Sequence, residues 1–277
     1  VLAMYSQLDD ILVKSEGEGM HPTLIEVFGF SIPEHGVVSA IAILLGLGVT
    51  SYFAKLKGIN DDDVMSLAVS VILGGLIGAR LWEVLFFQPG YYFQHPMEML
   101  AVWNGGMSVQ GGLIGGMLTA IWRVRRLKWS FWETGDLFAP GLILGQAIGR
   151  VACFLNGDAY GSPTGSSFGL VYPPGTPAYA EYGSQPLWPA EVFESQWNMV
   201  VFALLILLKK RDLPAGLLFV AYMALYFGGR FALELLRGDS PRYLFNFTAG
   251  QWTSVVAVLV TVVLYLITAM RRRNATV

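Results

Sequence analysis

The chain has 277 residues, of which 54% are apolar and only 14% charged, with a formal net charge of −2. Soluble domains carry roughly 25% charged residues, so an ordinary water-soluble domain is excluded, as is a nucleic-acid binder with a continuous basic face. One cysteine, Cys153, excludes an intramolecular disulfide framework and any multi-thiolate metal site.

In chain order, Val1–Glu34 has no basic start and no long apolar core, and carries Asp9, Asp10, Glu16, Glu18, Glu26 and Glu34. It is expected to be an external N-terminal segment, residues 1–35, with the first helix directing insertion. Apolar windows then predict helices over Gly36–Ala54, Val64–Phe87, Gly106–Val124, Gly135–Leu155, Trp188–Leu208, Pro214–Leu236 and Gly250–Met270. Windows of about 20 residues span a hydrocarbon core of about 30 Å at about 1.5 Å per residue. The predicted fold class is therefore an all-α integral membrane protein of about seven transmembrane helices, with the transmembrane domain occupying residues 36–277.

Orientation follows from the connections, because short cytoplasmic loops collect Lys and Arg. Alternate connections hold Lys55 and Lys57; Arg123, Arg125, Arg126 and Lys128; Lys209, Lys210 and Arg211; and Arg271, Arg272 and Arg273. The opposite loops, 88–105 and 156–187, contain no Lys or Arg. The N-terminus is thus expected outside and the C-terminus in the cytoplasm, which an odd number of helices requires. The longest external loop, 156–187, is rich in Gly and Pro with Phe168, Tyr172, Tyr179 and Tyr182. It reads as a small ordered flap between helices 4 and 5.

Arg80, Arg150 and Arg230 fall inside apolar windows. An arginine at helix-centre depth costs about 2.5–3.5 kcal/mol on insertion scales, so something must offset it. Helical spacing offers Glu83 to Arg80 and Glu234 to Arg230, and places Tyr226, Arg230, Glu234 and Arg237 on one face. Glu191 and Glu194 fall at the same depth. Arg150 has no carboxylate at three- or four-residue spacing, which marks it as the guanidinium to meet a phosphate from outside the chain. Bonding to backbone carbonyls is the bland alternative. GGLIG occurs twice, at Gly74–Gly78 and Gly111–Gly115; close helix packing through small residues accounts for it more simply than duplication.

The run WNGGMSVQGGLIG, Trp103–Gly115, followed by GRVACFLNGDAYG, Gly149–Gly161, resembles the bacterial prolipoprotein diacylglyceryl transferase family, with its WxGGMSxHGGLIG run and GRxGNFxNxExxG signature. The helix from Tyr226 to Arg237 resembles the family's later Y…R…E…R helix, and Gly78-Ala79-Arg80 its second-helix GGR. The resemblance implies a multi-pass protein of the bacterial inner membrane with its active site facing the outer leaflet. The implied activity is transfer of diacylglycerol from phosphatidylglycerol to the lipobox cysteine thiol of preprolipoprotein signal peptides, with no cofactor and no metal.

Carried over onto this chain, the resemblance implies catalytic roles for Arg150, Arg230, Gln110 and Asp158. It implies headgroup contacts for Arg150, Arg80, Asn156, Gly161, Tyr226, Glu234, Arg237 and Asp136. Three positions depart from the pattern: the family's histidine is Gln110 here, its asparagine Cys153 and its glutamate Asp158. Gln110 cannot accept a proton at neutral pH, which moves the candidate base to His35, Glu194 or Asp158. Cys153 reads as a small packing residue, although a nearby cation favours a thiolate. The competing readings are a phospholipid-binding paralogue without transfer and an anion or lipid transporter. The bare inner halves of most helices, with Asp136 the main exception, argue against a through-path.

Overall fold

The computed structural model describes residues 23–27, 30–101 and 106–275. Most of the predicted N-terminal segment, and Trp103 to Gly105 of the glycine-rich run, lie outside the described residues. Among the described residues the fold is helical apart from a few isolated bridges and one hairpin, β1 (Thr23–Val27) paired antiparallel with β2 (Phe30–Pro33), which the all-helical expectation omitted. Alternating apolar residues over so few positions give too little periodicity to mark a strand.

The helices are α1 (Glu34–Leu56), α2 (Asp61–Trp82, continued by a π-turn over Glu83–Phe87), α3 (Pro89–Gln94), α4 (Val109–Arg126), α5 (Phe131–Asn156), α6 (Pro177–Tyr182), α7 (Ala190–Lys209), α8 (Leu217–Leu233, continued as 3-10 over Glu234–Leu236) and α9 (Ala249–Ala275). Six of them, α1, α2, α5, α7, α8 and α9, are long and apolar enough to cross a membrane. The remaining predicted span is the 18-residue α4, whose last turn carries Arg123, Arg125 and Arg126. Those three charges keep it below the composition of the other six.

The chain divides into two units, described separately. The first comprises Gly46–Leu142 and Leu205–Tyr222. Its main packing is α2 against α4 through the two GGLIG segments. A Cβ on Gly78 would meet the carbonyl oxygen of Gly111 and, at 2.8 Å, the Cα of Gly115; one on Gly115 would meet the carbonyl of Gly74. The repeat thus serves close backbone approach between two helices. Near the α1–α2 turn, Ala54, Val64 and Leu137 form a buried cluster, covered by Phe53, Ile59, Trp129 and Phe138. The N-terminus of α8 is capped by Asp136, whose carboxylate accepts from the amides of Gly216 at 2.6 Å and Phe219 at 2.8 Å.

The second unit comprises Ile143–Leu204, Met223–Val277 and the chain up to Leu45. Gly145 on α5 allows close approach to the Ala42 carbonyl of α1, and the Ser195 hydroxyl of α7 donates to the Ala147 carbonyl at 2.8 Å. The 156–187 loop has a core of its own: Tyr160, Tyr172, Ala178 and Leu187, packed by Leu170 and Tyr182. Backbone bridges from Pro163 and Leu170 to Leu187 close it on itself, and a bridge from Gly161 to Arg237 ties it to the end of α8. Burial, followed by the hydrogen bond to Glu181, raises the pKa of the Tyr160 phenol, which keeps it a neutral donor.

Gly78→Ala forces a methyl group against main chain, so it is expected to destabilise the fold by about 1–3 kcal/mol. Gly48→Ala, with nothing within 4 Å of its Cβ, is expected to be neutral or stabilising by up to about 1 kcal/mol. Thermal unfolding of the two detergent-solubilised variants checks the contrast; equal melting temperatures would contradict the packing described.

Candidate active site

Three arginines of the second unit converge on one carboxylate. Glu194, on the first half of α7, is 3% exposed. Its Oε2 accepts from Arg150 Nη2 of α5 at 2.6 Å, and both its oxygens lie 2.7 Å from Arg230 Nη1 of α8. Arg237 Nη1, just past the 3-10 turn, reaches Oε1 at 3.4 Å. Each outer arginine then has a second anion. Arg230 Nη2 pairs with Glu234 at 2.9 Å, the four-residue pair expected from spacing. Arg237 forms a two-pronged pair with Asp239, Nε to Oδ1 at 2.7 Å and Nη2 to Oδ2 at 2.5 Å.

Glu234 is itself fixed: the Thr248 hydroxyl donates to its Oε1 at 3.0 Å, and a Cβ on Gly250 would strike its carboxyl group. Burial opposes the charge on Arg237, but Asp239 more than offsets this and holds its pKa above the usual guanidinium value. In formal charge, Glu194, Glu234 and Asp239 balance Arg150, Arg230 and Arg237. That balance, with hydrogen bonds on most heads, allows so many ions at low exposure.

Arg150 differs from the others. Local spacing gave it no partner, and the structure supplies one, Glu194, from another helix. Its remaining contact among the described residues is weak, Nη1 to the Sγ of Cys153 at 3.8 Å. Its side chain is 18% exposed. At the same end of α5 the Asn156 amide donates to Asp158 Oδ2 at 2.6 Å, and the Asp158 amide bonds to the Cys153 carbonyl. Gly161 allows the close passage of Trp188 and of Gly238 beside Arg237. Tyr226 lies one turn before Arg230 on α8, and His35 lies in the first turn of α1.

Arg80, Gln110 and Asp136 belong to the first unit. Arg80 is 6% exposed and does not form the expected ion pair with Glu83 among the described residues. Its guanidinium donates instead to carbonyls: Nε to Met99 at 3.0 Å, Nη1 to Gly106 at 2.8 Å, and Nη2 to Glu98 and to Ala101. It also lies over the Tyr92 ring, 4.9 Å from the centroid. Arg80 thus fastens the stretch between α3 and α4, which includes a 3-10 helix over Pro96–Leu100, so the carbonyl-bonded arrangement that was the alternative for Arg150 belongs to Arg80. Gln110 accepts from the Ser108 hydroxyl at 2.7 Å at the start of α4, and Asp136 is the cap of α8 described above.

Sequence reasoning missed Asp239, Thr248 and the buried pair in which the Tyr172 hydroxyl donates to Glu191. Asp239 follows Arg237 by two residues, a spacing outside the helical rule; Tyr172 and Glu191 are joined only by folding of the loop.

Fold and site define a helical membrane protein built around a buried arginine–carboxylate network. The model of the family described as prolipoprotein diacylglyceryl transferase matches residues 22–267, and the chain belongs to that family. A phosphatidylglycerol–prolipoprotein diacylglyceryl transferase of Trichormus variabilis is 39% identical over 229 residues, covering 79% of each chain. The protein of the same name from Symbiobacterium thermophilum is 33% identical over 243 residues, 88% of this chain and 91% of its own. That of Staphylococcus xylosus is 32% identical over 255 residues, 91% of each.

Glu194→Ala leaves its guanidiniums without their shared anion and is expected to cost about 3–5 kcal/mol of stability. Thermal unfolding in detergent measures it. A melting temperature unchanged from the parent protein would show that the network contributes nothing to the fold.

Proposed function

We propose that this protein transfers the diacylglyceryl group of phosphatidylglycerol to the lipobox cysteine of a prolipoprotein at the outer face of the bacterial inner membrane. Family membership and the names of the relatives support the substrates. The distribution of Lys and Arg supports seven spans, with α4 among them, an external N-terminus and a cytoplasmic C-terminus. In that orientation the Glu194 network lies in the outer half of the bilayer, where phospholipid headgroups sit.

In the reaction the substrate thiol loses its proton and sulfur attacks the glycerol carbon of the diacylglyceryl group. The bond from that carbon to the phosphate oxygen breaks, a thioether forms, and glycerol phosphate leaves with the electron pair. Negative charge grows on the leaving phosphate, so donors aimed there lower the barrier. The observation that carries the reading is the inequality among the arginines. Among the described residues, Arg230 and Arg237 each have two carboxylate partners, whereas Arg150 has only a share of Glu194. Arg150 is the guanidinium the network can turn toward a phosphate, with Arg230 behind it.

Proton acceptance is assigned to Asp158 or His35. Both Glu194 oxygens are already taken by guanidinium donors, and Gln110 lacks the chemistry. Asp158 has the stronger geometric claim, since it lies beside Cys153 at the end of the same helix as Arg150.

Incubation of a lipobox peptide with the purified protein and phosphatidylglycerol, followed by mass spectrometry, is expected to show a diacylglyceryl increment on the cysteine. Arg150→Ala is expected to reduce the rate by about 100–1,000-fold or more without loss of expression, and Arg230→Ala nearly as much. Full activity in Arg150→Ala would reject the headgroup role. An unmodified peptide with normal lipid binding would indicate a paralogue that has lost the transfer step.

A further inference from the structure

The same two helices that carry the Glu194–Arg230 pair border an open groove of about 480 Å3. Phe193, Trp197 and Val200 of α7 form one wall, and Gly228, Gly229 and Ala232 of α8 the other. Gln196 is its one polar side chain. The floor is built to be flat. A Cβ on Gly229 would overlap the Trp197 indole, and the indole N–H donates to the Leu225 carbonyl at 3.0 Å, which holds the ring against the glycine. Gly228 has nothing within 4 Å of its Cβ position, so its missing side chain leaves the space open.

Position decides the occupant. Phe193 and Gly229 are the immediate neighbours in sequence of Glu194 and Arg230, so the groove starts beside the charged network. It lies wholly within the membrane-spanning stretches Ala190–Lys209 and Leu217–Leu236, and Val200 is 49% exposed along it. Its open side therefore faces hydrocarbon. A helix of about 10–12 Å diameter is too wide for a gap between two packed helices, whereas a single alkyl chain needs only an apolar channel.

We propose that this groove holds one acyl chain of the phospholipid whose headgroup meets Arg150 and Arg230, and that the missing side chain of Gly228 keeps the groove open to it. The inference rests on the proposed transferase reaction. It adds an acyl-chain site to it.

Gly228→Leu places a side chain in open space on a helix that favours leucine over glycine, so the fold is retained, which thermal unfolding checks. Transfer from phosphatidylglycerol by this variant is expected to fall at least about tenfold in kcat/KM for the lipid, with KM for the lipobox peptide unchanged. No loss overturns the proposal. A raised KM for the peptide with lipid kinetics unchanged also overturns it, and assigns the groove to the peptide. Wild-type protein inactive with phosphatidylglycerol would instead count against the transferase reading. A second readout needs no catalysis: phosphatidylglycerol with a diazirine in one acyl chain is expected to label Phe193–Val200 in the wild type and much less in Gly228→Leu. Equal labelling rejects the site.

Discussion

One carboxylate organises the second unit. Glu194 draws Arg150, Arg230 and Arg237 from different parts of the chain to within hydrogen-bond or ion-pair range, so α5, α7 and the end of α8 are held by a shared ion as well as by apolar contact. Inside a membrane, where apolar side chains gain little by leaving lipid for protein, such polar contacts carry more of the burden of specifying which helices meet. Glu234 and Asp239 extend the arrangement outward, and Thr248 and Gly250 of α9 fix Glu234 in turn. On the proposed function, chemistry and architecture share these residues. The network is close to electrical balance, and among the described residues Arg150 is the guanidinium in it with the fewest carboxylate partners.

Most helices were legible in the sequence because an apolar run of membrane length satisfies its backbone polar groups within lipid only by coiling into a helix. The arginines within those runs were conspicuous for the same reason. The Arg230–Glu234 pair was legible too, since helical geometry places residues four apart side by side. The partners of Arg80 and Arg150 were not. Arg80 bonds to carbonyls 18 to 26 residues further on, between α3 and α4, where a single short 3-10 helix gives no periodicity to betray it. Glu194 lies on a different helix from Arg150, and spacing rules say nothing about pairs that meet only after folding. The contacts of Asp136 were not legible either: its carboxylate accepts from amides at the start of α8, about 80 residues further along the chain.

The loop between α5 and α7 illustrates how Gly- and Pro-rich sequence can still be ordered. Its aromatic residues, conspicuous in the sequence, form the buried cluster around Leu187. Its Tyr172 hydroxyl reaches Glu191, one turn before Glu194 on α7, and the Tyr182 hydroxyl donates to the Gly238 carbonyl between Arg237 and Asp239. The loop is thereby joined at two places to the segments that position the arginines. A disturbance of the loop core would be transmitted to the network without any contact between loop and substrate.

The α2–α4 contact carries a consequence for how the sequence can drift. What faces Gly78 is not a side chain that a second mutation could shorten but the carbonyl of Gly111 and the Cα of Gly115. No compensating exchange on the opposite helix exists, because those positions are already at the smallest residue available. Both segments are therefore held in place by mutual exclusion, and two stretches that look like a remnant of duplication would stay alike for as long as the helices touch, whatever their origin.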